Sequence, residues 1–344
     1  MIKLLIVEDS VTQREIFKRL FAADGRFTVV AEASTGREAI AMVRKHLPDV
    51  VLMDIHMPDM DGITATQEIM QQCPVPIVVA SSTLRKHDVD LAMRALQAGA
   101  VSVIEKPQGA VLLHLQKIAP ALCNELLAAV KAKLRPPIRA SAPRQTSLAT
   151  PPAANRVAIK IIGICASTGG PPVLLEIFSV IPKPYPLPIL LVQHISHGFE
   201  EGFARWLADS SGQTVGMATD GQRLSPGIWM APGGRHLTIG SPTRLELPLG
   251  KPGDLHCPSG NPLFESLARH MGSNAAGVQL TGMGDDGASG LLTLKQAGGM
   301  TVIQDEPSCL IWGMPKCAKE NGAALHELNP GEIARALVQM AKPS

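Results

Sequence analysis

Three residue types that can form a nucleophilic site each follow a separate apolar run of the sequence. Ser167 follows the run VAIKIIGI, His194 lies at the end of the run PILLVQHI, and Asp286 follows the run AAGVQL in a glycine-rich turn. In a Ser-His-Asp triad, the imidazole removes the hydroxyl proton and the carboxylate fixes the imidazole tautomer. If the three runs are parallel strands of one sheet, their carboxyl ends share an edge and the three groups can meet there.

Ser167 alone is compatible with three roles. The segment STGGPP lacks the lysine or second glycine cluster that a phosphate-binding loop needs. A serine that caps the following helix, expected to begin near Pro171, is the structural alternative. Because a nucleophile needs a base and an orienting acid, His194 and Asp286 favour the nucleophile. Asp285 adjoins Asp286, and the local sequence leaves the choice between these two acids open.

A second set of polar residues follows apolar runs in the first 110 positions. Its members are three carboxylates, a hydroxyl and a lysine: Glu8, Asp9, Asp54, Ser81 and Lys106. Carboxylates gathered at one sheet edge repel one another unless a cation joins them, and Mg²⁺ suits a set of oxygen ligands. A lysine and a hydroxyl beside that ion suit a phosphoryl group. The pattern predicts a phosphoryl site with a hard divalent ion.

The elements that must position these groups alternate between strand and helix in both halves of the chain. In the first half, five apolar runs separated by helical patterns predict a parallel sheet with helices on both faces. The second half contains further apolar runs, at 157–164, 188–195, 227–231, 275–283 and 300–303. Helical patterns lie near 172–181, 199–211, 262–271, 287–297 and 330–341. The segment HLTIGSPTRLELPLG predicts a β-hairpin, so we expect a doubly wound, mostly parallel α/β fold with one hairpin.

A proline-rich, basic segment separates the two halves. No acidic residue occurs between Glu125 and Glu176, and five prolines lie between residues 131 and 160. A polar, aperiodic stretch of this kind is typical of a tether. We therefore expect a first domain at 1–125, a linker at 126–155 and a second domain at 156–344.

Composition argues against several classes of function. The chain carries 32 Lys and Arg against 30 Asp and Glu, and a net charge of +2 does not indicate a nucleic-acid or membrane surface. The opening MIKLLIVEDS has no secretory pattern, and no apolar stretch reaches membrane-spanning length. The six cysteines form no CxxC pair, so we expect free thiols in a reducing cytosol. We predict a cytoplasmic protein without nucleic-acid binding or membrane insertion.

The first half resembles the response-regulator receiver domain. The most specific segments are VEDS, MDIHMPDMDG and EKP, within residues 1 to about 125. The resemblance implies a flavodoxin-like, five-stranded parallel sheet with Asp54 as the phosphoryl acceptor. It also implies that Glu8, Asp9, Asp54 and the backbone carbonyl of His56 hold Mg²⁺.

The same resemblance assigns the switch residues of the receiver. Ser81 takes the place of the switch hydroxyl, and Lys106 is expected to contact the phosphoryl oxygens. The Lys106–Pro107 bond is expected in the cis form. One departure is Val103, where many receivers carry Tyr or Phe, so the resemblance implies no aromatic switch residue at this position.

The second half resembles the catalytic domain of the CheB family of chemotaxis protein-glutamate methylesterases, in which a receiver precedes the esterase through a linker. The segments that carry the resemblance, in the family's order, are GICASTGGP, VQHIS.GF, APGGRHL, CPS…LF and LTGMGDDGASG. It implies Ser167 as nucleophile, His194 as base and Asp286 as the third member. The backbone amide of Met283 would belong to the oxyanion hole. The family pattern G-M-G-x-D-G selects Asp286 and leaves Asp285 at the variable position.

The second half departs from the family pattern in two segments. Cys165 stands where a glycine is common, and Gly260 and Asn261 stand where the family usually has Val and Asp. Neither departure changes a residue of the expected triad.

The resemblance implies a function in chemotactic adaptation. Glutamate γ-methyl esters on chemoreceptors would be hydrolysed, and receptor glutamines deamidated, without a cofactor for the esterase. A chemotaxis histidine kinase would phosphorylate Asp54 and thereby activate the esterase.

One alternative function is a phospho-dependent binding protein with an inactive esterase fold, which the intact Ser, His and Asp oppose. Another alternative is that the enzyme acts on the receptors of a surface-sensing cluster instead of a chemotaxis cluster. A DNA-binding output domain is disfavoured by the near-neutral charge and the missing helix-turn-helix pattern.

Overall fold

The computed structural model describes residues 1–81, 86–106, 115–134, 158–196 and 198–342. The chain folds as two compact units, Met1–Arg139 and Ala140–Ser344. The Lys106–Pro107 bond and residues 135–157, which include most of the expected linker, lie outside the described residues. Within the described part of the chain, no helix is both long enough and apolar enough to cross a membrane.

A five-stranded parallel sheet forms the first unit, as predicted. Its strands are β1 (Ile2–Val7), β2 (Phe27–Ala33), β3 (Val50–Asp54), β4 (Ile77–Ser81) and β5 (Ser102–Glu105). Its helices are α1 (Val11–Asp24), α2 (Gly36–His46), α3 (Gly62–Gln72), α4 (Lys86–Gln97) and α5 (Leu115–Val130). The strand order β2-β1-β3-β4-β5 makes β1 and β3 neighbours at the point where the chain reverses its direction across the sheet. A crevice at such a point, beyond the carboxyl ends of the strands, is where open α/β sheets bind ligands.

Helix α5 continues past the expected end of the first domain. It ends at Val130, so residues 126–130, which we assigned to the linker, are helical. Leu126 and Ala129 are fully buried. The apolar face of the helix therefore extends beyond Glu125, and the change to proline-rich sequence comes only later in the chain.

A seven-stranded sheet, parallel throughout, forms the second unit and confirms the predicted α/β class. Its strands are β6 (Ile161–Ala166), β7 (Pro188–Gln193), β8 (Val215–Met217), β9 (Gly227–Met230), β12 (Ala275–Gln279), β13 (Met300–Gln304) and β14 (His326–Leu328). The predicted hairpin is present as β10 (Thr238–Ser241) and β11 (Arg244–Glu246), which pair antiparallel. The helices are α6 (Gly170–Val180), α7 (Glu200–Ser211), α8 (Gly260–His270), α9 (Ala288–Gln296), α10 (Met314–Glu320) and α11 (Pro330–Met340).

The order of this sheet is β14-β13-β12-β6-β7-β9-β8. Strand β6 lies between β12 and β7, so the loops that follow these three strands meet at one edge. The run expected to be a strand to residue 283 stops at Gln279. Beyond that point the backbone no longer continues the strand ladder: the Thr281 N–H donates to the side chain of Gln304 at the end of β13 at 2.9 Å, and the Gly282 N–H donates to the Ile311 carbonyl at 3.2 Å.

Candidate functional site

Ser167 lies on the tight turn between β6 and α6. Its backbone N–H donates to the Thr281 carbonyl at 3.0 Å, and its own carbonyl accepts from the Gly170 amide at 2.8 Å and from Gln193 Nε2 at 3.0 Å. The turn is thereby held by the ends of both neighbouring strands. The N-cap residue of α6 is Gly169, with a φ of 82°. Ser167 is therefore not the helix cap, which removes the structural alternative for this residue.

His194 follows β7 directly. Its Nε2 lies 2.9 Å from Oδ2 of Asp286, and the two side chains are 12% and 5% exposed. Its Nδ1 is buried and has no hydrogen-bond partner among the described residues. The neighbouring Asp285 is exposed. The structure therefore brings His194 together with Asp286, and leaves the second ring nitrogen available to another group.

Asp286 is held by the N-terminus of α8 as well as by His194. Ser259 Oγ donates to Oδ1 at 2.5 Å, and the Gly260 N–H donates to Oδ2 at 2.7 Å. Burial by itself would raise the pKa of this carboxyl. The hydrogen bond to His194, the charge on that ring and the donors at the α8 N-terminus outweigh burial, and they hold the pKa of Asp286 well below its usual range. Asp286 is thus kept as a carboxylate facing His194.

A second histidine ring covers the first. The rings of His194 and His256 stack with centroids 4.4 Å apart and planes 8° apart. The pKa of His256 is lowered, because the stack removes water from its ring and a charge on His194 opposes a second one. A neutral His256 therefore shields one face of His194 without competing for Asp286.

In the first unit, Glu8, Asp9 and Asp54 bring carboxylate oxygens to within 4.8 Å of one another, and we call these three residues the acidic cluster. Glu8 and Asp54 are buried, whereas Asp9 is exposed. Desolvation raises the pKa of Glu8 and of Asp54, and Lys106 opposes the rise. Three converging carboxylates of this kind fit a hard divalent cation such as Mg²⁺.

The other predicted receiver residues surround Asp54. Lys106 Nζ lies 2.7 Å from Asp54 Oδ1 and 2.7 Å from Glu8 Oε2. The His56 N–H donates to Asp54 Oδ1 at 3.3 Å. The Ser81 hydroxyl is buried and has no hydrogen-bond partner in the described part of the chain. An amine, an amide and an unpaired hydroxyl at one edge suit the oxygens of a phosphoryl group.

A glycine makes this arrangement possible. A Cβ atom on Gly62 would overlap the carbonyl oxygen of Asp54. The Gly62 N–H donates to the Ile55 carbonyl at 2.9 Å, so α3 begins directly against the end of β3. A glycine is therefore required at position 62, in the segment MDG, because any side chain there would collide with the backbone of Asp54.

Comparisons with known proteins identify the family. The CheB methylesterase family matches residues 162–337, and the response regulator receiver domain matches residues 4–116. A protein-glutamate methylesterase/protein-glutamine glutaminase of Anaeromyxobacter dehalogenans is 42% identical over 97% of both chains. A protein of the same name from Geobacter metallireducens is 41% identical over 99% of both chains. The chain belongs to the CheB methylesterase family.

The fold agrees with this membership. The crystal structure of the Thermotoga maritima CheB methylesterase catalytic domain is 34% identical, with a TM-score of 0.51, and the match covers 54% of this chain and all of that domain. This CheB-family chain is therefore a carboxylic ester hydrolase that carries a receiver domain.

Sequence reasoning did not predict three contacts with the expected triad of this CheB-family chain. Ser259 and Gly260 donate to Asp286, and His256 stacks on His194. A serine before an apolar helical pattern is an N-cap signal, which marks Ser259 as a helix start. The sequence carries no signal that joins this helix start to a carboxylate 27 residues away.

We expect Lys106→Met to destabilise the receiver unit by about 3–5 kcal/mol at pH 7, the usual cost of removing one partner from a buried charge pair. The methionine keeps an apolar stem but leaves Glu8 and Asp54 buried without their cation. As pH falls, these carboxyl groups, whose pKa values are already raised, take up protons and the loss becomes smaller. Hydrogen exchange of the β1 and β3 amides in the full chain, at pH 7 and at pH 5, measures the effect.

The matched control is Lys18→Met. Lys18 pairs with Glu32 at 3.0 Å, with side chains 40% and 39% exposed. An exposed pair of this kind contributes little to stability, because water and salt screen the two charges. Two results would contradict the expectation. One is an equal loss of stability in the two variants, and the other is a loss of stability in Lys106→Met that is as large at pH 5 as at pH 7.

Proposed function

We propose that this chain hydrolyses glutamate γ-methyl esters on the cytoplasmic helices of chemoreceptors, under the control of phosphorylation. The observation that carries the proposal is the 2.9 Å contact between His194 Nε2 and Asp286 Oδ2, at the sheet edge where Ser167 also lies. Full-length relatives that are 36% to 42% identical carry the name protein-glutamate methylesterase/protein-glutamine glutaminase, which supports this substrate class.

The chemistry follows from the two nitrogens of His194. Ser167 Oγ attacks the ester carbonyl carbon while Nδ1 accepts the hydroxyl proton, and Asp286 stabilises the imidazolium through Nε2–H. The proton on Nδ1 then passes to the departing methoxide oxygen, so methanol leaves and an ester of Ser167 remains. A water molecule gives a proton to the same nitrogen and attacks this acyl-enzyme. The bond to Ser167 Oγ then breaks, and Oγ takes the proton back from Nδ1. The product is glutamic acid, which releases its proton to water and leaves as the carboxylate.

The negative oxygen of the tetrahedral intermediate needs N–H donors. Our candidate is the amide of Met283, in the loop that lies against the nucleophile. A Cβ atom on the preceding Gly282 would stand 2.6 Å from the Cβ of Ser167, so only a glycine fits beside the serine. One such donor typically changes kcat by about 10²–10³-fold.

The same groups can deamidate glutamine. An amide passes through a tetrahedral oxyanion like that of an ester, and ammonia takes the place of methanol as leaving group. His194 would protonate the leaving nitrogen as it protonates methoxide. The esterase unit needs no cofactor for either reaction.

The receiver supplies the control in this proposal. A chemotaxis histidine kinase is the phosphodonor, and Asp54 is the acceptor. The acidic cluster and the His56 carbonyl would hold Mg²⁺, which supplies charge neutralisation for the phosphoryl oxygens when bound. Lys106 and Ser81 contact those oxygens. Phosphorylation then releases the esterase from inhibition by the unphosphorylated receiver, and the whole reaction takes place in the cytoplasm.

Methanol release from purified, methylated receptor tests the function. The full chain should release methanol, and a small-molecule phosphodonor with Mg²⁺ should increase the rate. A folded chain that becomes phosphorylated but releases no methanol would instead support the binding protein with an inactive esterase fold.

We expect Asp54→Asn to remove the response to the phosphodonor while the basal rate of methanol release stays. The amide cannot accept a phosphoryl group as the carboxylate does, so the ratio of the rates with and without phosphodonor should fall to unity. The matched control is Asp59→Asn, because Asp59 is exposed and pairs with Arg37 on the surface. An Asp54→Asn chain that is still fully activated would place the control at another residue.

A further inference from the structure

Two of the positions at which the second unit departs from the family pattern, Cys165 and Gly260, lie against each other. A Cβ atom on Gly260 would stand 2.5 Å from Cys165 Sγ and 3.0 Å from Cys165 Cβ. Cys165 is fully buried near the end of β6, and Gly260 is the first residue of α8. Because packed interiors do not tolerate such overlap, the cysteine and a side chain at position 260 exclude each other.

The backbone of Gly260 does not itself require a glycine. Its φ lies outside the left-handed region, and it occupies the first turn of a helix, where any L-residue fits. The exclusion of a side chain therefore comes from the neighbours. These are Cys165 and, at 3.1 Å from the same Cβ position, the Cα atom of Gly287.

Both residues also reach the carboxylate of Asp286. Cys165 Sγ lies 3.9 Å from Oδ2, and the Gly260 N–H donates to the same oxygen at 2.7 Å. Burial raises the pKa of the Cys165 thiol, and the charge of Asp286 raises it further. The thiol therefore stays neutral and can act as a weak S–H donor toward the carboxylate.

We propose that Cys165 and Gly260 are a matched pair of positioning residues that set the place of the Asp286 carboxylate opposite His194. Cys165 fills the space that a side chain at position 260 would need. Gly260 in turn lets the N-terminus of α8 approach until its first amide reaches Oδ2. This inference rests on the proposed role of Asp286 in the reaction.

The matched pair predicts a reciprocal steric effect. With Cys165 present, an alanine at position 260 must push α8 away from β6, which withdraws the first amide of the helix and shifts the carboxylate. A misplacement of about 1 Å in a catalytic group can cost about 10²-fold in rate. Since neither residue touches the ester, kcat should fall while KM stays the same.

The experiment places Gly260→Ala in three backgrounds of the full chain and measures methanol release. With Cys165 intact, both close contacts remain, and kcat should fall by about 10–100-fold. In Cys165→Ala the 2.5 Å contact is gone and the 3.0 Å contact remains, so the loss should be intermediate. In Cys165→Gly both contacts are gone, and kcat should return to within about threefold of the Cys165→Gly single variant. The contact with Gly287 is common to all three backgrounds and cancels in the comparison.

A loss of equal size in the three backgrounds, or no loss in any of them, would overturn the proposal. If Gly260→Ala does not fold, the Cys165→Gly/Gly260→Ala chain carries the test, because it has to fold and release methanol near the rate of Cys165→Gly. Gly331→Ala in the first turn of α11 is the control for a helical glycine, since its Cβ atom would meet Asn329 only at an ordinary 3.4 Å.

Asp286→Asn, assayed in parallel, separates the two levels of inference. Full activity in Asp286→Asn would refute the proposed triad. If Asp286→Asn is inactive and Gly260→Ala has the same effect on kcat in all three backgrounds, only the matched pair is refuted.

Discussion

Replacing Ser167 with alanine is expected to lower the rate of methanol release by about 10⁶-fold, the effect of removing a serine nucleophile from a triad. The turn itself should persist, because its three hydrogen bonds to Thr281, Gly170 and Gln193 use only the backbone of residue 167. The receiver should still accept a phosphoryl group at Asp54. Both quantities can be measured on one sample of the Ser167→Ala chain. Methanol release should be lost, whereas the mass of the chain should still show the added phosphoryl group.

The matched control for this substitution is Ser241→Ala at the end of β10, which removes two long contacts of 3.4 Å with Thr243, one to its hydroxyl and one to its backbone N–H. It should release methanol at the wild-type rate. A Ser167→Ala chain that also released methanol near that rate would refute the assignment of the nucleophile. A chain that lost receiver phosphorylation as well would show that the variant disturbs the whole protein and would contradict the backbone argument.

The sheet edge at which each site lies could be predicted from the sequence. A buried parallel strand is an apolar run, and the polar residue that follows the run lies at the carboxyl edge of the sheet. Ile2–Val7 precedes Glu8, and Ile161–Ala166 precedes Ser167. The order of the strands was not readable in this way. Placing β6 between β12 and β7 depends on crossover connections, which leave no local signal in the residues.

The short edge elements were missed for a different physical reason. Strands β8 and β14 have three residues each, and neither is buried. An apolar run forms only where a strand is covered on both faces, so half-exposed edge strands lack the pattern. Helix α10, with seven residues, is likewise too short for a clear helical period.

The surroundings of Asp286 were also beyond the sequence, since they depend on tertiary approach. The carboxylate is held by the first residues of α8, and the ring of His256 reaches His194 from the loop before that helix. The family pattern showed that Cys165 and Gly260 are unusual. Only the fold shows that the two residues are neighbours.

Replacing Asp286 with asparagine is expected to lower kcat by about 10⁴-fold, as for the loss of the acid in other triads. The amide carries no charge, so the imidazolium of His194 loses its stabilising partner. If the amide NH₂ faces Nε2, it also holds the ring in the wrong tautomer for accepting the Ser167 proton. Asp285→Asn is the matched control, because that neighbouring carboxylate is exposed and should leave methanol release unchanged.

The same substitution should change the response of the catalytic unit to acid. The pKa of Asp286 in the folded chain lies below the ordinary value of 3.8, so its charged form contributes stability that is present above about pH 4. This contribution is lost as pH falls toward the folded pKa, because the unfolded chain takes up the proton first. Asparagine has no such proton-linked contribution. The difference in unfolding free energy between wild type and Asp286→Asn should therefore narrow as pH is lowered from about 5 to about 3 in denaturant titrations. A difference that widened in acid would show that Asp286 is not held as a stabilised carboxylate.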